Sequence, residues 1–234
     1  HSTMKTTQET IEQKVEALFA PFAGKDTEVL AKAAKYKINP SDKSKYPNLI
    51  KHLLGMNGIG NSLSELLGVE TPVVFKTIVV TPKLDVKNGM SFENLNFNAV
   101  MEKKWKENQM YRTFKNTTFV FCILIAKPDK TVEFHTARVW TMPEQDLKMV
   151  QRMWRAIRSE IRTGVTIKPK EVQDGRLFLH NSLPKKTDNA VCHVRPRGSK
   201  ANPLMELPNG QKIHTQCYWL NPNYLKAQLF PEAI

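Results

Sequence analysis

Apolar residues recur at helical spacing in the first part of the chain and form unbroken runs in its middle. From Thr7 to about Phe22 they fall at Ile11, Val15, Leu18 and Phe19, one stripe of a helix. The pattern predicts a second helix over Asp26 to Tyr36 and a third over Asn48 to Leu54, closed by Gly55. The loop Met56–Asn61 then leads to a short helix ending at Leu67, which Gly68 stops. Val73–Val80 and Thr118–Ala126 are apolar almost throughout, as expected of central strands covered on both faces. Thr131–Trp140 alternates better and follows the turn Lys127-Pro128-Asp129-Lys130, which predicts a neighbouring strand. The clearest helix runs from Glu144 to about Arg162, with Leu147, Val150, Met153 or Trp154, Ile157 and Ile161 on one face and Gly164 at its end. Several short strands and a terminal helix over Asn223–Leu229 complete the chain. Helices flanking a mixed sheet make the expected fold class α/β.

Composition narrows the partner. The 234 residues suffice for one large domain or two lobes with a real core. Lys and Arg number 35 against 22 Asp and Glu, a formal net charge of +13. Such a surplus favours a polyanion: DNA, RNA or an anionic membrane. No apolar run approaches the ~20 residues that a membrane span needs, so no membrane partner is expected. Cys122, Cys192 and Cys217 lack CxxC spacing, which implies neither a zinc site nor a disulfide framework and suits a reducing cytoplasm. His1-Ser2-Thr3-Met4 reads as the remnant of an expression tag, leaving residues 5–234 as a domain excised from a longer polypeptide.

Two segments stand out chemically. Lys76 is the only charge in Val73–Val80. It is either a phosphate contact or a strand-end lysine reaching solvent past apolar neighbours. Val194-Arg195-Pro196-Arg197-Gly198-Ser199-Lys200 carries three cations after an apolar strand, and Pro196 and Gly198 keep it out of regular structure. An arginine fork matches guanine O6/N7 or a phosphate bidentately; the plain reading is a solvated basic turn. Lys185-Lys186 and Lys103-Lys104…Lys106 are solvated faces or non-specific phosphate contacts. The six histidines show no ligand spacing, and His52, among leucines, is expected to pack. Asn57-Gly58-Ile59-Gly60 follows no strand and lacks the Lys-Ser/Thr of a phosphate loop.

Several strings together resemble the MutH family of GATC-directed endonucleases. They include Lys104-Trp105-Lys106-Glu107-Asn108, Tyr111-Arg112-Thr113-Phe114-Lys115, and Trp140-Thr-Met-Pro-Glu144 followed by Trp154 and Gly164. The restriction-enzyme branch, the Sau-type GATC endonucleases, is resembled through Leu49–Gly55, Leu67-Gly68-Val69-Glu70, Lys76–Val80, Asn94–Asn98, Val194–Arg197 and Tyr218-Trp219-Leu220. The resemblance implies a restriction-endonuclease-like fold, a mixed sheet flanked by helices. Its two lobes, about 5–165 and 166–234, would form a nuclease-like core and a DNA-recognition lobe around a DNA-binding cleft. It also implies double-stranded DNA containing GATC as the partner. By the same resemblance Arg195, Pro196, Arg197 and Lys200 belong to a loop that enters the major groove, with Arg197 where a lysine reads adenine. Tyr218 sits at the same interface or is a half-buried strand aromatic. Lys115 lies near the scissile phosphate, with Arg112 beside it.

The departures from the family are chemical. Active members carry an acid where Lys51 and Val74 stand, Val74 being the first position of the Glu-x-Lys that ends at Lys76. The expected aspartate falls among Leu63, Ser64 and Glu65. Mg²⁺ demands oxygen ligands in near-octahedral geometry; valine offers none and lysine repels the ion. No metal or other cofactor is therefore expected here. The resemblance then implies a catalytically inactive effector domain. An N-terminal catalytic MutH-like domain of the same bacterial, cytoplasmic polypeptide would bind Mg²⁺. Glu70 is the competing acid, but six extended residues put it roughly 20 Å from Lys76. The alternatives are an active endonuclease using Glu65 or Glu70, and a non-specific DNA-binding domain.

Overall fold

A computed structural model describes residues 2–56, 58, 60–172, 175–198 and 201–233, with side chains from Thr10 onward. The first elements are α1 (Ser2–Phe19), β1 (Lys25–Asp26), α2 (Thr27–Ala33), α3 (Lys45–Leu53), α4 (Ser64–Leu67) and β2 (Val73–Val80). β3 (Met90–Asn94), α5 (Phe97–Glu102), α6 (Gln109–Asn116), β4 (Thr118–Ala126), β5 (Val132–Trp140) and α7 (Glu144–Thr163) follow. The chain ends with β6 (Ile167–Glu171), β7 (Leu177–Asn181), β8 (Cys192–Arg195), β9 (Leu204–Glu206), β10 (Lys212–His214), β11 (Cys217–Leu220) and α8 (Pro222–Leu229). The fold is mixed α/β, with a mixed sheet and flanking helices. Among the described residues no helix is long and apolar enough to cross a membrane.

The chain divides into two compact units that interleave in sequence. The first comprises residues 1–87, 116–141 and 229–234; the second comprises 88–115 and 142–228. This division does not coincide with the single boundary near residue 165 expected from sequence. The interleaving follows from strand direction. β2 and β4 are parallel, and parallel neighbours need a crossover; that connection carries β3, α5 and α6, which belong to the second unit.

In the first unit the sheet order is β1-β5-β4-β2, so β4 is a central strand as expected, while β2 lies at the sheet edge and is only partly covered on one face. β2 and β4 pair without interruption from Val73↔Thr118 to Val80↔Ile125. β4 and β5 form the expected hairpin, with Asp129 Oδ1 accepting from the Thr131 amide at the turn. One sheet face buries Val73, Phe75, Val120 and Cys122 against Ile11, Val15 and Phe19 of α1 and Ile50 of α3. Full burial of such side chains contributes about 1.5–3 kcal/mol each before entropy is counted. The other face stacks Phe119, Phe121 and Trp140 within 5.3–6.0 Å of one another. Arg138, cross-strand from Phe121, lies 5.4 Å over the Phe230 ring and donates to the Leu229 carbonyl.

Both ends of α2 differ from expectation for local reasons. α2 begins after Asp26, whose carboxylate caps it by accepting from Glu28 N at 2.7 Å. It ends three residues before Tyr36 because Lys35 adopts φ +55° and the Tyr36 amide returns to the Ala31 carbonyl at 2.8 Å. That is the Schellman closure, here without glycine. β3, α5 and α6 are elements that the apolar pattern does not predict. α5 is capped by Asn96 and α6 by Asn108, each through a side-chain oxygen.

The second unit packs helices on one side of the antiparallel sheet β3-β11-β8, with hairpins β6-β7 and β9-β10 beyond it. α7 buries Leu147, Val150, Met153, Trp154, Ile157 and Ile161, the stripe expected of it. Arg158 lies 4.7 Å from the Trp154 ring and donates to the Val100 and Met101 carbonyls near the end of α5. Tyr224 of α8 donates to Asp146 of α7 at 2.7 Å. Gly89 has φ +29°, and a Cβ there would lie 2.5 Å from the Leu220 carbonyl oxygen. Gly89→Ala forces the backbone of β11 to move, so chemical denaturation should show a loss of about 1–3 kcal/mol. Unchanged stability would show that this approach is not constrained.

Candidate nucleic-acid interface

In the first unit the candidate residues gather around β2. The segment before α4 runs along the β2 edge: Leu63 N donates to Val73 O at 2.7 Å and Phe75 N to Asn61 O at 2.9 Å. The Asn61 side chain adds a bond to Phe75 O at 3.1 Å. This bridge sets Ser62 opposite Val74 in antiparallel pairing. Opposed cross-strand residues share a face, as do residues two apart on one strand. Ser62, Val74 and half-buried Lys76 therefore form one row, a hydroxyl, an isopropyl group and an amine, with no carboxylate.

The nearby acids lie elsewhere. Glu65 is exposed in the first turn of α4, lining an open groove of about 360 Å³ that also includes Gly55, Met56 and Ser62. Glu70 is exposed in the bend before β2. Ser64 pins that bend through bonds to Thr71 O and Val73 N, both 2.9 Å. The β2–β4 register contains no bulge that would carry Glu70 into the strand. Lys51 is half-buried in the last turn of α3. The set Lys51, Ser62, Val74 and Lys76 does not fit Mg²⁺, which requires several hard oxygens at about 2.0–2.1 Å.

In the second unit the sheet separates its candidates by face. Tyr218 pairs with Val194 across the strands, whereas Arg195 pairs with Cys217 and His193 with Trp219 on the opposite face. Tyr218 is fully buried, stacked on Phe92 at 5.7 Å, with its hydroxyl 3.0 Å from both Glu93 Oε1 and Thr113 Oγ1. Burial first, and the Glu93 charge beside it, hold the phenol above its ordinary range. The hydroxyl is thus engaged inside the unit and is not presented as a free donor. The sequence held no signal for Thr113 and Glu93 as its partners, because β3 and α6 were not read as elements.

The basic loop is more open. Arg195 lies 3.7 Å from the centre of the Trp219 ring, and the indole N–H donates to the Arg195 carbonyl at 3.1 Å. The indole therefore fixes the arginine from both sides, by cation–π attraction and by hydrogen bond. Pro196 follows at the end of β8 and is half-buried. Arg197 is exposed and donates to the Phe92 carbonyl. It lines a groove of about 510 Å³ with Asn94, Asn202, Pro203 and Thr215. A cationic fork beside two amides and a hydroxyl offers the donors and acceptors that base edges and phosphates require. Asn202 and Thr215 carry no sequence signal; Asn94 belongs to Asn94–Asn98, one of the segments that resemble the family. Ser199 and Lys200 lie outside the described residues.

The remaining candidates sit on α6. Arg112 and Lys115 are exposed and three residues apart, hence neighbours on the helix surface. Lys115 pairs with Glu144 at 3.2 Å, an exposed contact worth about 0–1 kcal/mol and easily exchanged for a phosphate. His52 is exposed instead of packed among leucines, stacked 4.6 Å from Tyr36 with Nε2 3.0 Å from Ala34 O.

His193 is buried behind Arg195. Its Nδ1 lies 2.6 Å from Asn221 Oδ1, and the Asn221 amide nitrogen donates to the Asn189 carbonyl. The asparagine oxygen must therefore accept, which assigns the proton to Nδ1. Nε2 is enclosed without a partner among the described residues. Burial first, then the charges of Arg195, Lys186 and Lys185, push the imidazole below its ordinary 6.5, against the raising effect of Asn221.

Compared with known proteins, the chain matches no family model and no curated protein.

The His193 environment has a pH consequence. The unfolded chain takes up a proton near pH 6.5 and the folded one only at lower pH. The stability it supports is complete above about 6.5 and declines as pH falls below it. Denaturation midpoints at pH 7.5 and 5.5 should show this decline, and His193→Gln should reduce it. A folded His193→Gln protein with the same pH dependence would remove His193 as the cause.

Proposed function

We propose that the chain is a MutH-like, restriction-endonuclease-like domain that binds GATC in double-stranded DNA without cutting it. Within that reading it is the effector domain of a type II restriction endonuclease. The cutting partner is an N-terminal MutH-like domain of the same polypeptide, and that domain holds the Mg²⁺. The observation that carries the proposal is the row Ser62, Val74, Lys76. Its strand pairing suits a Glu-x-Lys nuclease site, and its side chains keep the lysine and lack both acids.

A net charge of +13 and the Arg197 groove support DNA as the partner. The phosphate contacts are assigned to Lys76, Arg112, Lys115, Arg195 and Lys200, and base reading to Arg197 with Asn94, Asn202 and Thr215 around it. Tyr218 acts indirectly by holding β11 beneath the basic loop. Effector binding favours the cleavage-competent arrangement of the enzyme only to the extent that GATC binds that arrangement more tightly.

Gel shift and plasmid cleavage test this directly. The chain should retard a GATC duplex in EDTA in preference to a scrambled duplex and leave supercoiled DNA intact with Mg²⁺. Nicking that disappears in Lys76→Ala would overturn the inactive reading. Arg197→Ala should reduce the preference for GATC. Lys115→Ala should weaken all duplexes alike and flatten the salt slope by about one phosphate. Equal losses on both duplexes in both variants would argue against base reading by Arg197.

A further inference from the structure

We propose that the solvent face of α7 is a second phosphate-binding surface, which holds the backbone of duplex DNA without reading its sequence. Lys148, Arg152, Arg155 and Arg162 recur at spacings of four, three and seven residues and are all exposed. At 3.6 residues per turn these positions form one stripe opposite the buried stripe of Leu147, Val150, Trp154, Ile157 and Ile161.

The acids of α7 form no ion pair with the stripe, although Glu160 and Asp188 line a groove with Arg152. Glu144 pairs with Lys115, Asp146 accepts from Tyr224, and Glu160 accepts from Ser182 at 2.7 Å. No carboxylate among the described residues pairs with Lys148, Arg152, Arg155 or Arg162. Instead, like charges are neighbours at 148/152, 152/155, 155/158 and 158/162. Each such pair weakens a helix by about 0.2–0.5 kcal/mol. A face selected only for solubility would interleave acids with these bases. The arrangement gains its compensation when a polyanion replaces the missing acids.

The dimensions and the chemistry favour a nucleic-acid backbone. Lys148 to Arg162 extends about 21 Å at ~1.5 Å per residue, a length over which duplex DNA carries roughly a dozen charges. Three of the four cations are arginines, whose planar forks engage phosphate bidentately.

The stripe is distinct from the Arg195–Arg197 loop. α7 packs against β8, and Cys192 of β8 lies close to Tyr224, which is bonded to Asp146 of α7. Arg195 and Trp219 project from the other face of that sheet. Within the second unit, the helix, ~10 Å across, and the sheet both stand between the stripe and the loop. One straight duplex cannot lie along both.

The test uses the full chain, a GATC duplex of about one helical turn, and a GATC-free duplex of about 40 bp. In Lys148→Gln/Arg152→Gln/Arg155→Gln/Arg162→Gln the slope of log affinity against log salt for the GATC-free duplex should become shallower by about three to four. Affinity for that duplex at low salt should fall by at least about tenfold, while binding of the short GATC duplex changes by less than about threefold. All four positions are exposed, so circular dichroism and the unfolding midpoint should match the parent. An unchanged salt slope in the folded variant overturns the proposal. So does loss of binding to polyglutamate with DNA binding intact, which would assign the face to an acidic protein. If Arg197→Ala leaves GATC preference untouched while the fourfold variant flattens the slope, the base-reading assignment fails and this surface stands.

Discussion

The parallel pairing of β2 with β4 is the constraint on which the remaining architecture rests. Its eight residue pairs run without a bulge through the most apolar part of the chain. β4 is paired on both sides, whereas β2 is the last strand of the sheet and its outer edge is met by the segment Asn61–Leu63. The direction of pairing obliges the chain to leave after Val80 and return at Thr118. The excursion supplies β3, α5 and α6, onto which β11 and α7 later build. The interleaved units are therefore a consequence of strand direction. The same register fixes the chemistry of β2. With no slip available, Lys76 stays on the face of Val74, and Glu70 stays outside the strand.

Elements with strong periodicity or unbroken apolar runs were legible in sequence nearly to the residue. Val73–Val80, Thr118–Ala126 and the helix from Glu144 are such cases, since the burial that stabilises them is also what patterns them. α2 was misjudged at its end because Lys35 takes a left-handed conformation without glycine, leaving no local mark. β3, α5 and α6 were missed for a different reason. α5 is six residues long; both helices start at asparagine caps, and α5 is held further by Arg158 of α7 and by Gln109 of α6. Short elements stabilised through tertiary bonds have little intrinsic pattern to read.

The candidate sites divide along the same line. A position within a strand was placed by its register, so the row Ser62, Val74, Lys76 needed only the identity of the neighbouring edge. Side chains whose role depends on a distant partner were not legible. Tyr218 looked equally suited to solvent and to the interior until Glu93 and Thr113 met its hydroxyl. Arg195 looked like an ordinary basic-loop residue until Trp219 lay beneath it. A guanidinium held between an indole face and its own strand loses less conformational freedom on binding than a free surface arginine.

The replacement of acids by serine and valine has an electrostatic logic on the proposed reading. Two carboxylates beside Lys76 help a phosphate only while a divalent cation stands between them and the anion. Without the cation they repel it, by about 1 kcal/mol per charge at 4 Å in water and more where water is excluded. A domain that gave up Mg²⁺ but kept its acids would bind DNA worse than one that lost both. On that reading, Val74 and the neighbouring Ser62 bring no negative charge to the face that carries Lys76. The valine adds a second effect, because apolar walls lower the local dielectric and strengthen the attraction of the remaining amine for a phosphate. Loss of catalysis and gain of metal-free affinity are then one substitution pattern seen from two sides. The α7 stripe follows the same logic on another surface, where cations stand without acids in ion-pair contact.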